Sequence, residues 1–534
     1  MKPQIINIIN FIRGVEPRDP GLDLLEPVTR QVELLEKYSL PGTFLIQYDA
    51  MINPSFVNLL KRSSSVANEI GAWFEVVQPL VENAGLEWRG RPGFSWDWHA
   101  DVGFTVGYTP EEREKLSDVF MEDFRNIFGF YPKSVGSWII DAHTLAYLEK
   151  KYGITASCNC RDQWGTDGYT LWGGYYNQAY YPGRHNVFCP AQTVKNQINV
   201  PIFRMLGSDP IYQYDAGLVA DGSFTASEWQ PVVTLEPVYP VGGGSEEWIR
   251  WFLKENFNGI CLAFGYAQAG QENSFGWPAM EKGLLFQFEQ ISEFAAQGKI
   301  KVETLADSAD WFRKKYPTTP ASVVAALSDW KDDGHRSIWY NSRYYRINLY
   351  QEAEKLWIRD LHIFNENYEE RYLANKCAMD RLYFDNLPVI DGNRWSHGKT
   401  RAGLYPVIIG EDDSTALMEV YEPEVSEMGD DELKAVWKTE MGFEFEVLCK
   451  EDSVAFSSRG NVSVKWCLKM LWNPDVEVPV GDIADNSVKY CFNGFKYTVC
   501  FSGAEINERM DEGSITIVPC KNEIFLNWEH AEEL

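Results

Sequence analysis

GTFLIQYDAMINPSFVNLLKRSSSVANEIGAWFE, residues 42–75, reads as strand, loop, helix and strand in turn. Residues 43–47 make a short apolar strand. Asn53-Pro54 supplies an N-cap and a proline at the first helical position, where its missing N–H costs nothing. Phe56, Leu59 and Leu60 then fall on one face of a helix over 54–61. Residues 69–75 make a second buried strand. Strand, crossover helix and strand within ~35 residues form a βαβ unit, whose strands lie parallel. Chemistry in such folds gathers where loops leave the carboxyl ends of the strands. Glu75 stands at one of those ends.

The same alternation extends outward in both directions. Upstream lie an apolar strand over 5–11 and a helix over 24–38 with Leu25, Val28, Val32 and Leu35 as its stripe. Downstream, beyond a long loop over 87–108, Thr109-Pro110-Glu111-Glu112 is a capping box opening a helix to about 128. A strand over 134–139 leads to Asp141 and a helix closed by Tyr152-Gly153. Strands over 155–159, 202–206, 260–264 and 301–303 follow, with helices after Ser245, over 277–297 and after Thr304. Seven or eight βα repeats are the signature of a barrel, placed here at 1–316. After Pro317-Thr-Thr-Pro320 the pattern changes, and 317–400 is expected to be a helical connecting segment rich in aromatics and charge. From 401 to 534 apolar and polar residues alternate, with Phe492-Asn493-Gly494-Phe495 as a hairpin turn. That part reads as an antiparallel β-sandwich, and the whole as an α/β protein.

At 534 residues the chain exceeds one compact core, in keeping with this division. Its net charge of −28 repels a polyanion such as nucleic acid, whereas a neutral or cationic substrate is easier to accept. The 20 Trp and 27 Tyr suit stacking on sugar faces as well as ordinary packing. No apolar run approaches the ~18 residues needed to span a membrane. The amino-terminal segment lacks a secretory apolar region, so a cytoplasmic location is expected unless a leader has been trimmed. The ten cysteines form no CxxC pair and read as reduced thiols. Oligomeric state is not legible here.

Glycoside hydrolysis needs two carboxyls flanking one bond, one protonated and one ionised. The acids at strand ends are Glu16, Glu75, Asp141, Asp209, Glu236 and Glu272. Glu75 comes first, because apolar neighbours raise a carboxyl pKa by desolvation; the other role open to it is a buried ion pair with Arg13. Asp141 stands where a helix needs an N-cap, and Glu16 has Arg13 and Arg18 as neighbours to pair with. Asp97-x-His99-x-Asp101 and Asp141-Ala-His143 place acid and imidazole two residues apart, pointing one way on an extended chain. His99, Asp101 and Asp141 are therefore the set that would hold a divalent metal, against a simpler role for His99 in orienting substrate. Asp162, Trp164 and Asp167 in one aromatic loop, and Glu272 in another, mix flat apolar faces with hydroxyl acceptors as a sugar subsite requires. Arg13, Trp73, His99, Asp101, His143 and Asp209 complete the expected substrate contacts.

Gly42-Thr43-Phe44-Leu45, Asn68-Glu69-Ile70-Gly71-Ala72-Trp73, the run from Ser134 to Asp141, and Lys301-Val-Glu-Thr-Leu305 resemble motifs of one family. It is the polysaccharide deacetylase (NodB-like) branch of the glycoside hydrolase/deacetylase superfamily, matched up to about residue 315. The resemblance implies a distorted seven-stranded (β/α) barrel. The metal motifs of that branch do not carry over. Phe11-Ile12-Arg13-Gly14 stands in place of its Asp-Asp pair, and Trp73-Phe74-Glu75-Val76-Val77 in place of its His-xxx-His. The superfamily also holds glycosidases that work with two carboxylates, which fits Glu75 better. The expectation is a carbohydrate-active hydrolase, a glycosidase without a cofactor, acting on oligo- or polysaccharide with Glu75 as one catalytic carboxyl and Asp141 or Glu16 as the other. A metal-assisted deacetylase with a rewired site and a non-catalytic glycan binder are the alternatives.

Overall fold

The computed structural model describes residues 2–63, 68–165, 169–215, 232–412, 414–460, 464–509 and 512–528. Asp167, expected to touch substrate, lies outside them. Eight parallel strands form a nearly closed, barrel-like sheet: β1 (Gln4–Ile12), β2 (Thr43–Ile46), β3 (Glu69–Trp73), β4 (Ser134–Gly136), β5 (Ala156–Asn159), β6 (Ile202–Arg204), β7 (Gly265–Ala269) and β8 (Lys301–Glu303). The first half of β1 pairs with β7 on one side and β8 on the other, and its second half pairs with β2. The order then runs through β3, β4 and β5 to β6. β1 is covered on both faces, which is why it reads as an almost unbroken apolar run. Its Asn7 is tolerated there because Nδ2 donates to the Glu303 carbonyl and to Ser308 Oγ, at 2.9 and 2.8 Å.

The βαβ unit forms as its residues dictate. Asn53 Oδ1 accepts from the Ser55 amide at 3.0 Å, and the helix Pro54–Arg62 buries Phe56, Val57 and Leu60. The capping box at Thr109 is also present, opening Pro110–Phe128. One barrel strand falls later than expected, at Gly265–Ala269 instead of 260–264. The amides of Cys261 and Leu262 donate instead to the Glu427 carboxylate, at 2.9 and 2.7 Å. That segment therefore serves the carboxy-terminal sheets, and the barrel strand begins once it has passed them.

The expected helical segment is corrected by the structure. Among the described residues, 317–400 contains no helix. It folds as strands Ser322–Ala326, His335–Asn341, Tyr345–Glu352, Lys355–Ile363, Leu382–Asp385 and Leu387–Asp391. These strands are buried on both faces, so the polar alternation that marks a half-exposed strand is missing. Ile338, Tyr340, Ile347, Leu349 and Ile358 join one apolar cluster, while Trp339, Tyr350 and Trp357 pack on the opposite side. The charges that suggested solvated helix faces are buried ion pairs. Arg346 donates to Asp360 at 2.9 and 2.8 Å and to Asp162 at 2.9 Å, and Arg359 lies 3.1 Å from Asp215.

All of these strands but Leu382–Asp385 belong to a ten-stranded antiparallel sheet completed by strands beyond residue 400, and it shares one buried cluster with an eight-stranded sheet, with Leu404 and Leu468 from the first joining Trp437, Phe445 and Phe501 from the second. The hairpin at 492–495 turns through Asn493 (φ 50°) and Gly494 (φ 82°), the two positive values its tight turn requires. Leu382–Asp385 pairs in parallel with Tyr169–Trp172 of the long aromatic loop, so the carboxy-terminal half holds that loop on the barrel.

Asp141 belongs to the same join and not to a catalytic site. It caps the helix Ala142–Tyr152 and is fully buried. Its carboxylate accepts from the Thr144 amide (2.8 Å), Thr144 Oγ1 (2.7 Å), Thr105 Oγ1 (2.6 Å) and Arg113 Nη1 (3.0 Å). Arg113 also reaches the Leu373 carbonyl at 3.3 Å, and Glu370 accepts from the Ala142 and Val187 amides at 2.9 and 2.8 Å. Burial, then the charge of Asp141, pushes the Glu370 carboxyl up to about 8.

Two measurements check this join. Asp141→Ala leaves Arg113 buried without its partner and is expected to lower unfolding free energy by about 3–5 kcal/mol in denaturant titrations. Glu370 has a folded pKa above its unfolded value, so its stabilising contribution is complete below the ordinary carboxylate range and is lost as pH rises through about 8. The wild type should therefore lose stability from acid toward pH 8, and Glu370→Gln should flatten that slope. An unchanged slope would contradict it.

Candidate active site

A cavity of about 370 Å³ opens at the carboxyl ends of the barrel strands. Arg13, the first residue past β1, spans it. Nε and Nη2 donate to the two oxygens of Glu75, each at 3.2 Å, and Nη1 donates to Glu272 Oε1 and Ser274 Oγ, each at 3.3 Å. The Trp96 ring lies over the guanidinium with its centroid 4.0 Å away. Asn273 locks the Arg13 backbone, accepting from its amide at 2.9 Å and donating to its carbonyl at 2.9 Å. Gly14 makes the exit from β1 possible. A Cβ there would stand 2.6 Å from the Ala50 nitrogen. The Gly14 amide donates to Asp49 Oδ1 at 3.1 Å, and burial pushes that carboxyl up to about 6.

Two acids lining the cavity are driven in opposite directions. Glu75 is fully buried. Desolvation raises its pKa and the charge of Glu272 adds to the rise, against the pull of Arg13. Burial also pushes Glu16 upward, but Arg18 outweighs it and holds the carboxyl below the usual range. Arg18 Nε and Nη2 reach the two Glu16 oxygens at 2.7 and 2.5 Å, and the Arg18 amide adds a bond of 3.0 Å. Arg18 also lies near the rings of Trp96 and Trp98, at 5.4 and 5.2 Å.

Of the residues expected from sequence, Arg13, Glu16, Glu75 and Glu272 line the cavity together. Trp73 is sealed beneath it, edge-on to the lining residue Trp138 at 5.4 Å and against Phe11 at 4.3 Å. His99 immediately precedes the short helix Ala100–Gly103, which contains Asp101, and neither lines the cavity. His143 faces outward, 3.2 Å from Glu114. Asp162 holds Arg346 and the Gly173 amide, each at 2.9 Å, and Trp164 packs against Trp172, Tyr383 and Arg394. Asp209 accepts from the indoles of Trp248 and Trp330 at 2.8 and 3.2 Å. These are packing roles. Sequence reasoning missed Trp96 and Trp98 as partners of the arginines. Their signal was the Trp96-Asp97-Trp98 alternation, which puts both indoles on one side of an extended loop.

The alternative in which His99, Asp101 and Asp141 would hold a metal finds no shared site, since Asp141 is engaged by Arg113 and the two threonines. Among the described residues, the acid and imidazole groups close enough to share one ion are Asp329, Asp333 and His335, none of which lines the cavity. The Asp329 carboxylate already accepts from Tyr212 Oη at 2.8 Å and from the Lys331 and Asp333 amides at 2.9 and 3.1 Å. In the mouth itself the buried carboxylates face a guanidinium, and no described histidine joins them. The residues present do not fit the dication of the metal-dependent deacetylases.

No protein-family profile matches the chain, and no curated protein sequence matches it. A structure described as a glycoside hydrolase/deacetylase from Parabacteroides distasonis is similar to it with a TM-score of 0.53 at 13% identity, over 72% of this chain and 91% of that one. Structures described as polysaccharide deacetylases from Mycobacterium smegmatis and Pseudomonas aeruginosa give TM-scores of 0.36 and 0.35 at 14% and 12% identity. Each covers 59% of this chain, and 91% and 93% of its own. The chain thus carries the glycoside hydrolase/deacetylase type of fold.

Proposed function

We propose that this protein is a carbohydrate-active hydrolase that works as a glycosidase on oligo- or polysaccharide, with Glu75 as general acid and Glu16 as the ionised partner. Its scaffold in this reading is a distorted (β/α) barrel of eight parallel strands, one more than the resemblance implies, braced by a β-sandwich. The observation that carries the proposal is the pair of oppositely shifted carboxyls lining one cavity, the division of labour that glycoside hydrolysis requires.

The charge balance around Arg13 supports a proton on Glu75. Glu75 and Glu272 together place two negative charges against one guanidinium in a buried site. One proton leaves a neutral ion pair, and the more buried of the two carboxyls takes it. Glu75 can then deliver that proton to the glycosidic oxygen, while Arg13 stays paired with Glu272. Glu16, ionised beside Arg18, acts on the anomeric carbon directly or through water. Trp98 and Trp138 contribute aromatic surface to the cavity wall, suited to contact with sugar rings.

The test is turnover of a panel of aryl glycosides. The rate should rise as Glu16 ionises, below the usual carboxylate range, and fall as Glu75 loses its proton, above it. Glu272→Gln removes the repulsion that raises Glu75 and should move the high-pH limb downward. Glu75→Gln and Glu16→Gln should each lower kcat by ~10²–10⁴-fold. Sugar binding without turnover of any glycoside would favour an inert binder and sink the assignment.

A further inference from the structure

We infer that the sugar taken by this cavity carries a carboxylate, as a uronic acid does, and that Arg161 and Gln163 read it. The inference rests on the glycosidase reading of the same cavity and names its substrate class. Both residues line the cavity just past β5, and each is only 2% exposed. Gln163 and Leu171 exchange backbone hydrogen bonds of 3.1 and 3.0 Å, which ties this segment to the chain that returns along it.

What distinguishes the pair is that their donors lack acidic partners. Arg13 is engaged by Glu75 and Glu272, and Arg18 by Glu16. Arg161 donates from Nη1 to the Asp162 carbonyl at 3.1 Å, and among the described residues no carboxylate pairs with it. Gln163 Nε2 is buried without an acceptor. A guanidinium keeps its charge at every relevant pH, and a buried charge without a counter-charge is costly. Sugar hydroxyls would satisfy the donors but leave that charge uncompensated. A planar carboxylate accepts two parallel bonds from the guanidinium fork, and the amide of Gln163 supplies a third donor. A monoanion is favoured over a phosphate dianion, because Glu16, Asp19, Glu236 and Glu272 line the same space beside Glu75.

The experiment is calorimetric binding of 4-nitrophenyl glucuronide, its methyl ester and 4-nitrophenyl glucoside, as both anomers, to the full chain. The glucuronide should bind about tenfold or more tighter than the other two, the scale of a charge-assisted bond. Arg161→Gln should erase that preference. Arg161→Lys, which keeps the charge but loses the fork, should retain part of it, and thermal melting of each variant checks the fold. Equal affinity for the three ligands, or a preference that survives Arg161→Gln in a folded protein, overturns the inference. Turnover is scored separately. A glucuronide preference without turnover sustains the uronate reading and removes the hydrolase one, whereas turnover of the glucoside with no acid preference does the reverse.

Discussion

The Arg13 guanidinium, clamped between Glu75 and Glu272 with the Trp96 ring over its face, is the contact on which the rest of the site depends. It ties together the ends of β1, β3 and β7 and the long loop over 87–108, four pieces of chain remote in sequence. Burying three charges is expensive, and the mutual attraction repays it only where hydrogen bonds satisfy most donors and acceptors. Here Ser274 and Asn273 supply those bonds, so Arg13 has little freedom to move. The same charge sets the chemistry. With a single guanidinium for two acids, the site is neutral only when it also holds a proton.

The outer wall of the barrel depends on the carboxy-terminal half in a similar way. Arg346, paired with Asp360, reaches Asp162 on the barrel loop, Glu370 caps a barrel helix, and Leu382–Asp385 adds a strand to Tyr169–Trp172. The loop that begins with Arg161 and Gln163 therefore has its position fixed by residues more than 180 places away in sequence. An accessory role for these sheets would be too small a description. They hold in place one side of the cavity.

Local rules were legible where local physics decides. The caps at Asn53, Thr109, Asp141, Ser245 and Thr304 are all present, because each joins a side-chain oxygen to an amide two or three residues on. The βαβ unit and the Asn493-Gly494 turn follow from residues a few positions apart. The failures share one cause, which is burial supplied from elsewhere in the chain. Strands at 335–363 looked helical because two packed faces hid their alternation and Arg346 and Arg359 found acids from distant segments. Asp162 and Asp209 looked like sugar ligands because their partners Arg346, Trp248 and Trp330 are invisible in a linear reading.

The same limit explains how Glu75 stood out in the sequence as a candidate while the choice of its proposed partner did not. An acid directly after an apolar strand announces itself, since little else explains a charge there. The choice of its partner turns on which arginine each remaining acid meets. Asp141 meets Arg113 and closes a helix; Glu16 meets Arg18 and stays at the cavity. Both are carboxylates beside guanidinium groups, yet one has its oxygens taken up by a cap inside the protein and the other lines the cavity, its partner Arg18 lying near Trp96 and Trp98. The cavity sets arginines among its acids, and a guanidinium neutralises charge without offering an open coordination position to water. In the proposed reading the chemistry therefore falls to two carboxyls held at unequal pKa.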